Sequence, residues 1–205
     1  MKHFVVALTG ASCSIYGIRL IEVLAELGNR VTVIFTENGL KVTGYELKKS
    51  LLNKSFDEIK GVLFNPKFNS QITIVDNQNI FASCASGTNA SDALVVLPCS
   101  MGTLAAISQG LSTNLIQRVG DVMLKERKKI ILCTREAPYS LIHLKNMVSF
   151  TEAGGVIIPC SPGFYLHPET INDLINFMVG KVLDVLGVVH SVCPKWKQSQ
   201  GSDGL

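Results

Sequence analysis

Phe4-Val5-Val6-Ala7-Leu8-Thr9-Gly10-Ala11-Ser12-Cys13-Ser14-Ile15 is the stretch that decides the fold. Five apolar residues in succession suit a strand buried on both faces. Thr9-Gly10 ends the run and small polar residues follow. From Ile15 to Leu27 the pattern turns helical, with Ile18, Ile21, Leu24 and Leu27 close to one face. Gly28 predicts the end of that helix. A buried strand, a tight turn and an amphipathic helix make the opening unit of a parallel α/β sheet.

The alternation continues along the chain. Val31 to Phe35 reads as a strand, Thr36-Glu37-Asn38-Gly39 as a turn, and a helix is expected to about Leu51. Asn53 to Asn79 is the least regular segment and holds one strand, Ile72 to Val75. Ala93 to Leu97 is a strand closed by Pro98. Asn114 to Arg127 reads as a helix, and Ile130 to Cys133 and Val156 to Ile158 as strands. Pro138 to Phe150 reads as a helix opened by its proline. His167-Pro168-Glu169-Thr170 opens the last long helix. The expected architecture is a doubly wound parallel sheet, a Rossmann/flavodoxin-like three-layer sandwich. It is expected to form one domain over 1–196, with a Ser/Gly-rich, disordered tail over 197–205. In such sheets ligands lie beyond the carboxyl ends of the strands.

Of the 205 residues 47% are hydrophobic and 17% charged, which excludes disorder for the bulk of the chain and predicts a large core. A net charge of +3 and 7% aromatic residues give no support to a nucleic-acid surface. Leu174 to Val189 is apolar but interrupted by Asn176, Lys181 and Asp184, so it reads as a core helix and not a membrane span. Phe4 to Leu8 mimics a short signal segment, but Thr9-Gly10 ends it without a cleavage-like tail, and a cytoplasmic location is expected. Cysteines 13, 84, 99, 133, 160 and 193 form no CxxC pair. They predict reduced, mostly buried thiols and no zinc site.

Thr9 to Gly17 is small, polar and opens a helix, as a phosphate-holding loop does, though a plain tight turn has the same composition. It is neither a Walker loop nor GxGxxG. Pro98-Cys99-Ser100-Met101-Gly102-Thr103 repeats the same chemistry after another strand. Arg118 and Lys125, seven residues apart on one helix face, are placed to reach a common anion, while Arg127, Lys128 and Lys129 read as a solvated basic helix end. Arg135-Glu136 at a strand end suits phosphate binding and proton movement, or an ion pair holding the loop. Pro159 to Pro168 forms a stiff loop that either presents Tyr165 or packs it with Phe164. A Cys99–His143 nucleophile lacks an obviously placed Asn or Asp to orient it, and a Cys after Pro98 at an apolar strand end reads as an inert thiol.

Taken together these loops resemble the UbiX-type flavin prenyltransferases. The resemblance is carried by Leu8-Thr9-Gly10-Ala11-Ser12 with Tyr16-Gly17, Ala85-Ser86-Gly87, Pro98 to Thr103, Asn114 to Arg118, Asp121 to Arg127, Arg135-Glu136-Ala137-Pro138, Ile142-His143-Leu144, Asn146-Met147 and Pro162-Gly163-Phe164-Tyr165. It implies a homododecameric, metal-independent enzyme that joins a dimethylallyl group from dimethylallyl monophosphate to N5 and C6 of reduced FMN. The product would serve a UbiD-type decarboxylase. Position by position, it implies FMN contacts from Gly10, Ala11, Ser12, Thr36, Ser100, Met101, Gly102, Thr103 and Arg118. Tyr165 and Lys181 would bind the prenyl phosphate, with Arg135 and Lys125 contributed by adjacent subunits. Glu136 would transfer the proton near the leaving phosphate, and Glu46 and Ser12 would act in later steps.

Two positions depart from the family pattern. Cys13 stands where the family usually has Gly, which implies crowding at the phosphate or a changed turn. Ile80 stands about where many members have Trp, which implies a different prenyl-pocket wall. The rival readings are an FMN-dependent cysteine decarboxylase of the same fold and a non-catalytic FMN-binding subunit of a phenolic-acid decarboxylase. The Pro-Cys-Ser-Met-Gly-Thr and Arg-Glu-Ala-Pro segments argue against the first. Glu136, Lys125, Tyr165 and Lys181 argue against the second.

Overall fold

The computed structural model describes residues 1–89 and 91–194, so the expected tail over 197–205 lies outside the described residues. Six strands form one parallel sheet: β1 (His3–Leu8), β2 (Arg30–Phe35), β3 (Ile72–Asp76), β4 (Ala93–Cys99), β5 (Lys129–Thr134) and β6 (Val156–Pro159). Their order is β3-β2-β1-β4-β5-β6, the doubly wound arrangement expected. The winding reverses between β1 and β4, which pair in parallel from Phe4↔Ala93 to Ala7↔Val96. The carboxyl ends of these two strands therefore frame the switch point.

The helices are α1 (Ser14–Glu26), α2 (Glu37–Leu47), α3 (Phe56–Leu63), α4 (Met101–Ser108), α5 (Leu115–Lys125), α6 (Leu141–Glu152) and α7 (Ile171–Leu186). Strand alternation assigns the sheet faces. Val5, Ala7, Leu94, Val96, Ile130 and Leu132 join Leu104, Ile107, Leu115 and Val119 of α4 and α5 in one buried cluster. Leu8 has the opposite parity and meets α1: a Cβ on Gly17 would lie 3.1 Å from Leu8 Cδ2 and would overlap the Leu97 carbonyl oxygen. Glycine there lets α1 settle where β1 and β4 end.

Several boundaries differ from the sequence reading. The irregular segment after Asn53 contains α3, whose start is fixed by a capping box between Ser55 and Glu58, and a short 3-10 turn at Pro66–Phe68. β4 does not close at Pro98 but runs to Cys99, with a register shift against β5 between Val96 and Cys99. α6 begins at Leu141 and not at Pro138, because the Ser140 hydroxyl accepts from the His143 N–H while the His143 ring accepts from the Ser140 N–H. α2 stops at Leu47, where Lys48 turns left-handed at φ 53°.

The chain forms two compact units, Met1–Cys160 and the segment from Ser161 onward, within the span expected as one domain. The first unit holds the whole sheet and α1 to α6. The second is built on α7, which Thr170 caps through its own box with Asp173. Among the described residues no helix is long and apolar enough to cross a membrane.

Candidate functional site

The loops after β1 and β4 are tied together by one side chain. Thr9 is fully buried, and its hydroxyl donates to the Pro98 carbonyl at 2.9 Å. The same oxygen accepts from the Ser100 N–H at 2.8 Å. Thr9 N–H adds a backbone bond to Pro98 O at 3.2 Å. The starts of α1 and α4 are thereby fixed to one another at the switch point.

At the start of α1, Glu46 reaches across from α2. Its carboxylate accepts from the Ser12 hydroxyl, from Cys13 N–H at 3.0 Å and from Ser14 N–H at 2.8 Å. The helix dipole and these N–H groups favour the anionic form of the carboxylate. Burial pushes the Glu46 carboxyl up, but the bonds from Ser12, Cys13 and Ser14 outweigh it and hold it below the usual carboxylate range. Ser12 and Glu46 form a hydroxyl–carboxylate pair, an arrangement able to accept and pass on a proton.

Cys13 sits in the left-handed region at φ 83° and ψ 30°. The turn is therefore of the kind a glycine makes most easily, and the side chain is carried at a conformational cost. Burial raises the Cys13 thiol, and burial pushes the Cys160 thiol up to about 12. Cys99 is fully buried and its thiol is raised further. None of these is a ready nucleophile. His143 serves as a helix cap, which leaves no Cys99–His143 pair.

The start of α4 offers a second set of polar groups. Ser100 caps the helix by accepting from Thr103 N–H at 3.4 Å, and the two hydroxyls lie 3.0 Å apart. A Cβ on Gly102 would meet nothing within 4 Å, so the backbone there is open to a ligand. Thr36 caps α2 by accepting from Gly39 N–H at 2.9 Å, and its own proton remains available to donate. Small residues, hydroxyls and two helix starts on one sheet edge fit a flavin mononucleotide.

The β5–α6 loop brings its arginine to the same edge. Arg135 is exposed, bonds through its N–H to Cys99 O at 3.5 Å, and lies close enough to Cys13 and Cys160 to act on both thiols. Glu136 accepts from Ala137 N–H at 3.1 Å, and among the described residues it makes no ion pair with Arg135. The α5 cations do not converge on one anion as their spacing suggests. Arg118 pairs with Asp121 at 3.1 Å, and Lys125 pairs with Glu126 over Gly87.

In the second unit Tyr165 and Lys181 share a cavity of about 290 Å³. Tyr165 packs edge-on against Phe177, with centroids 5.5 Å apart. The Lys181 ammonium lies 5.6 Å from the centre of the Phe177 ring. Asp184, His190 and Cys193 also line it. Sequence reasoning gave no role to these three residues or to the Thr9 hydroxyl. It also missed Asn77, whose side chain and carbonyl accept from Ile116 N–H and Leu115 N–H to anchor α5. The only signal in the sequence for the second-unit pair is an Asp six residues before a His across a helix-ending glycine.

A doubly wound sheet with two small-residue helix starts at its switch point defines a mononucleotide-binding flavoprotein. The Flavoprotein family model matches residues 1–193. The chain is 42% identical over 192 residues to the flavin prenyltransferase UbiX of Methanocaldococcus jannaschii, covering 94% of this chain and 97% of that protein. A solved structure of AnUbiX (PadA1) in complex with FMN and dimethylallyl pyrophosphate superposes with a TM-score of 0.85 at 33% identity, covering 97% and 99% of the two chains. The dodecameric FMN-dependent UbiX-like decarboxylase of Escherichia coli O157:H7 superposes at 0.82 with 31% identity, covering 96% and 100%. The chain belongs to the UbiX flavin prenyltransferase family.

Two predictions follow from the α1 turn. Replacing Cys13 with Gly removes the left-handed cost against a partly offsetting gain in unfolded-chain entropy, for a net stabilisation of about 0.5–1 kcal/mol in denaturant unfolding. Glu46 has a depressed carboxyl pKa, so its contribution is present above its ordinary value of 4.5 and is lost as pH falls through the folded value. Glu46→Gln should therefore flatten the acid limb of a stability-against-pH curve, leaving the neutral-to-acid difference smaller than in the parent.

Proposed function

We propose that this enzyme joins the dimethylallyl group of dimethylallyl monophosphate to N5 and C6 of reduced FMN, with its residues acting as follows. Gly10, Ala11, Ser12, Thr36, Ser100 to Thr103 and Arg118 hold FMN. Tyr165 and Lys181 hold the prenyl phosphate, joined in the oligomer by Arg135 and Lys125. When bound, reduced FMN supplies the electron-rich ring that receives the prenyl carbon.

The chain's own groups account for the rest. As the allylic C–O bond breaks, the electron pair leaves with phosphate, and the cations around it take up that charge. Glu136 handles the proton at the leaving phosphate. Ser12 and Glu46, a hydroxyl–carboxylate pair, would take up and pass on a proton beside the bound flavin. The observation that carries this reading is the Ser12–Glu46 pair at the α1 start, because a flavin carrier has no need of an oriented acid–base pair. The Phe177–Tyr165–Lys181 cavity supports it, since an aromatic wall beside an ammonium suits an apolar chain ending in phosphate.

A homododecamer is the proposed assembly. Leu141, Ile142, Leu144 and Val148 leave apolar side chains on α6 exposed at 66%, 70%, 46% and 57%, a surface that a subunit contact would cover. A cytoplasmic location is supported by cysteines that are all free. The prenylated flavin is proposed to pass to a UbiD-type decarboxylase.

Anaerobic incubation of the protein with reduced FMN and dimethylallyl monophosphate, followed by mass analysis of the released flavin, tests the reading. The flavin should gain one dimethylallyl unit, and EDTA should leave the yield unchanged. Arg135→Ala and Glu136→Gln should abolish the gain while FMN stays bound. Unmodified FMN with the parent protein would contradict the proposal.

A further inference from the structure

We propose that His190 is a positioning residue of the Tyr165–Lys181 cavity, holding the Asp184 carboxylate so that the Lys181 ammonium stays free for phosphate. This rests on the reading of that cavity as the prenyl-phosphate site.

Lys181 and Asp184 are three residues apart on α7, so they share a face and are placed to pair. The same spacing on α5 does produce a pair, Arg118 with Asp121 at 3.1 Å. It does so again on α1, Arg19 with Glu22 at 3.6 Å. On α7 the outcome differs. Asp184 Oδ1 lies 3.2 Å from His190 Nε2, and Lys181 points over the Phe177 ring. Among the described residues no carboxylate lies within ion-pair distance of Lys181.

His190 is built to hold that carboxylate. Its side chain is 4% exposed, whereas that of Asp184 is 51% exposed. Its Nδ1 is buried and has no hydrogen-bond partner. A proton on Nδ1 would be a buried donor with nothing to meet, so the favoured form carries its proton on Nε2 and donates it to Asp184. The ring is seated in a notch left by a glycine. A Cβ on Gly180 would come within 3.3 Å of His190 Cε1 and 2.9 Å of Cys193 Cβ. The chain thus returns after Gly187 to lay an imidazole against α7 beside the lysine.

The electrostatic consequence is specific. A carboxylate released from His190 would turn to Lys181, cancel the cavity's cation and repel an incoming phosphate. Affinity for the phosphate would fall while the chemistry after binding would be little changed.

The test measures binding of dimethylallyl monophosphate by calorimetry, together with KM and kcat for flavin prenylation. His190→Ala should weaken binding and raise KM by about tenfold, with kcat changed by less than about twofold. Asp184→Asn in that background should return both binding and KM to within about threefold of the parent, because the released carboxylate is gone. His190→Gln, which keeps a side-chain N–H donor, should also restore them. Unchanged binding in His190→Ala would overturn the proposal, and so would a double variant as weak as His190→Ala. Where His190→Ala does not fold, Asp184→Asn alone decides: weaker phosphate binding there would contradict the role. Lys181→Ala separates the role of the cavity from the role of His190. If it too leaves binding unchanged, the cavity is not the phosphate site. If it weakens binding while His190→Ala does not, only the role of His190 fails.

Discussion

The hydroxyl of Thr9 is the constraint on which the carboxyl edge of the sheet depends. β1 and β4 are neighbours only because the winding reverses between them, so the loops that follow diverge to opposite faces. Their helices, α1 and α4, have no covalent reason to keep a common position. Thr9 supplies one by donating to Pro98 O and accepting from Ser100 N–H in the same buried spot. The energy of such a bond is modest, about 0.5–1.5 kcal/mol net. Its importance is geometric, because a ligand held by two loops is held well only if the loops keep their spacing.

The strands were the most legible part of the chain. Runs such as Phe4–Leu8 and Ala93–Leu97 are apolar throughout, and a parallel sheet covered on both faces leaves no other place for them. Boundaries set by polar side chains were harder. The Pro138 signal suggested a helix start, but the reciprocal bonds of Ser140 and His143 delay it to Leu141. Ser55 and Glu58 formed a readable capping box, yet the polar surroundings of α3 masked it. At Cys13 the sequence posed a choice between crowding and a changed turn. The backbone shows a left-handed turn that carries the side chain.

The charged residues divide in a similar way. Spacing placed Arg118 and Lys125 on one helix face but said nothing of their freedom. Asp121 and Glu126, close by in sequence, pair with them within the chain. Glu46 is the opposite case. Its partners lie more than thirty residues away, at the start of α1, and no local pattern connects them. Only the family resemblance singled it out, and the structure supplies the physical reason, three donors converging on one carboxylate. In α7 the helical spacing places Lys181 and Asp184 to pair, and Asp184 meets His190 instead.

Coupling of the two loops through Thr9 is the claim on which the account rests. Fluorescence titration of FMN into the parent protein, Thr9→Val and Thr9→Ser tests it directly. Valine keeps the shape and removes both hydroxyl bonds, so FMN should bind at least about tenfold more weakly, while serine should stay close to the parent. Equal FMN affinity in the parent and a folded Thr9→Val would contradict the account, because the two loops would then keep their spacing without the bond assigned to hold them.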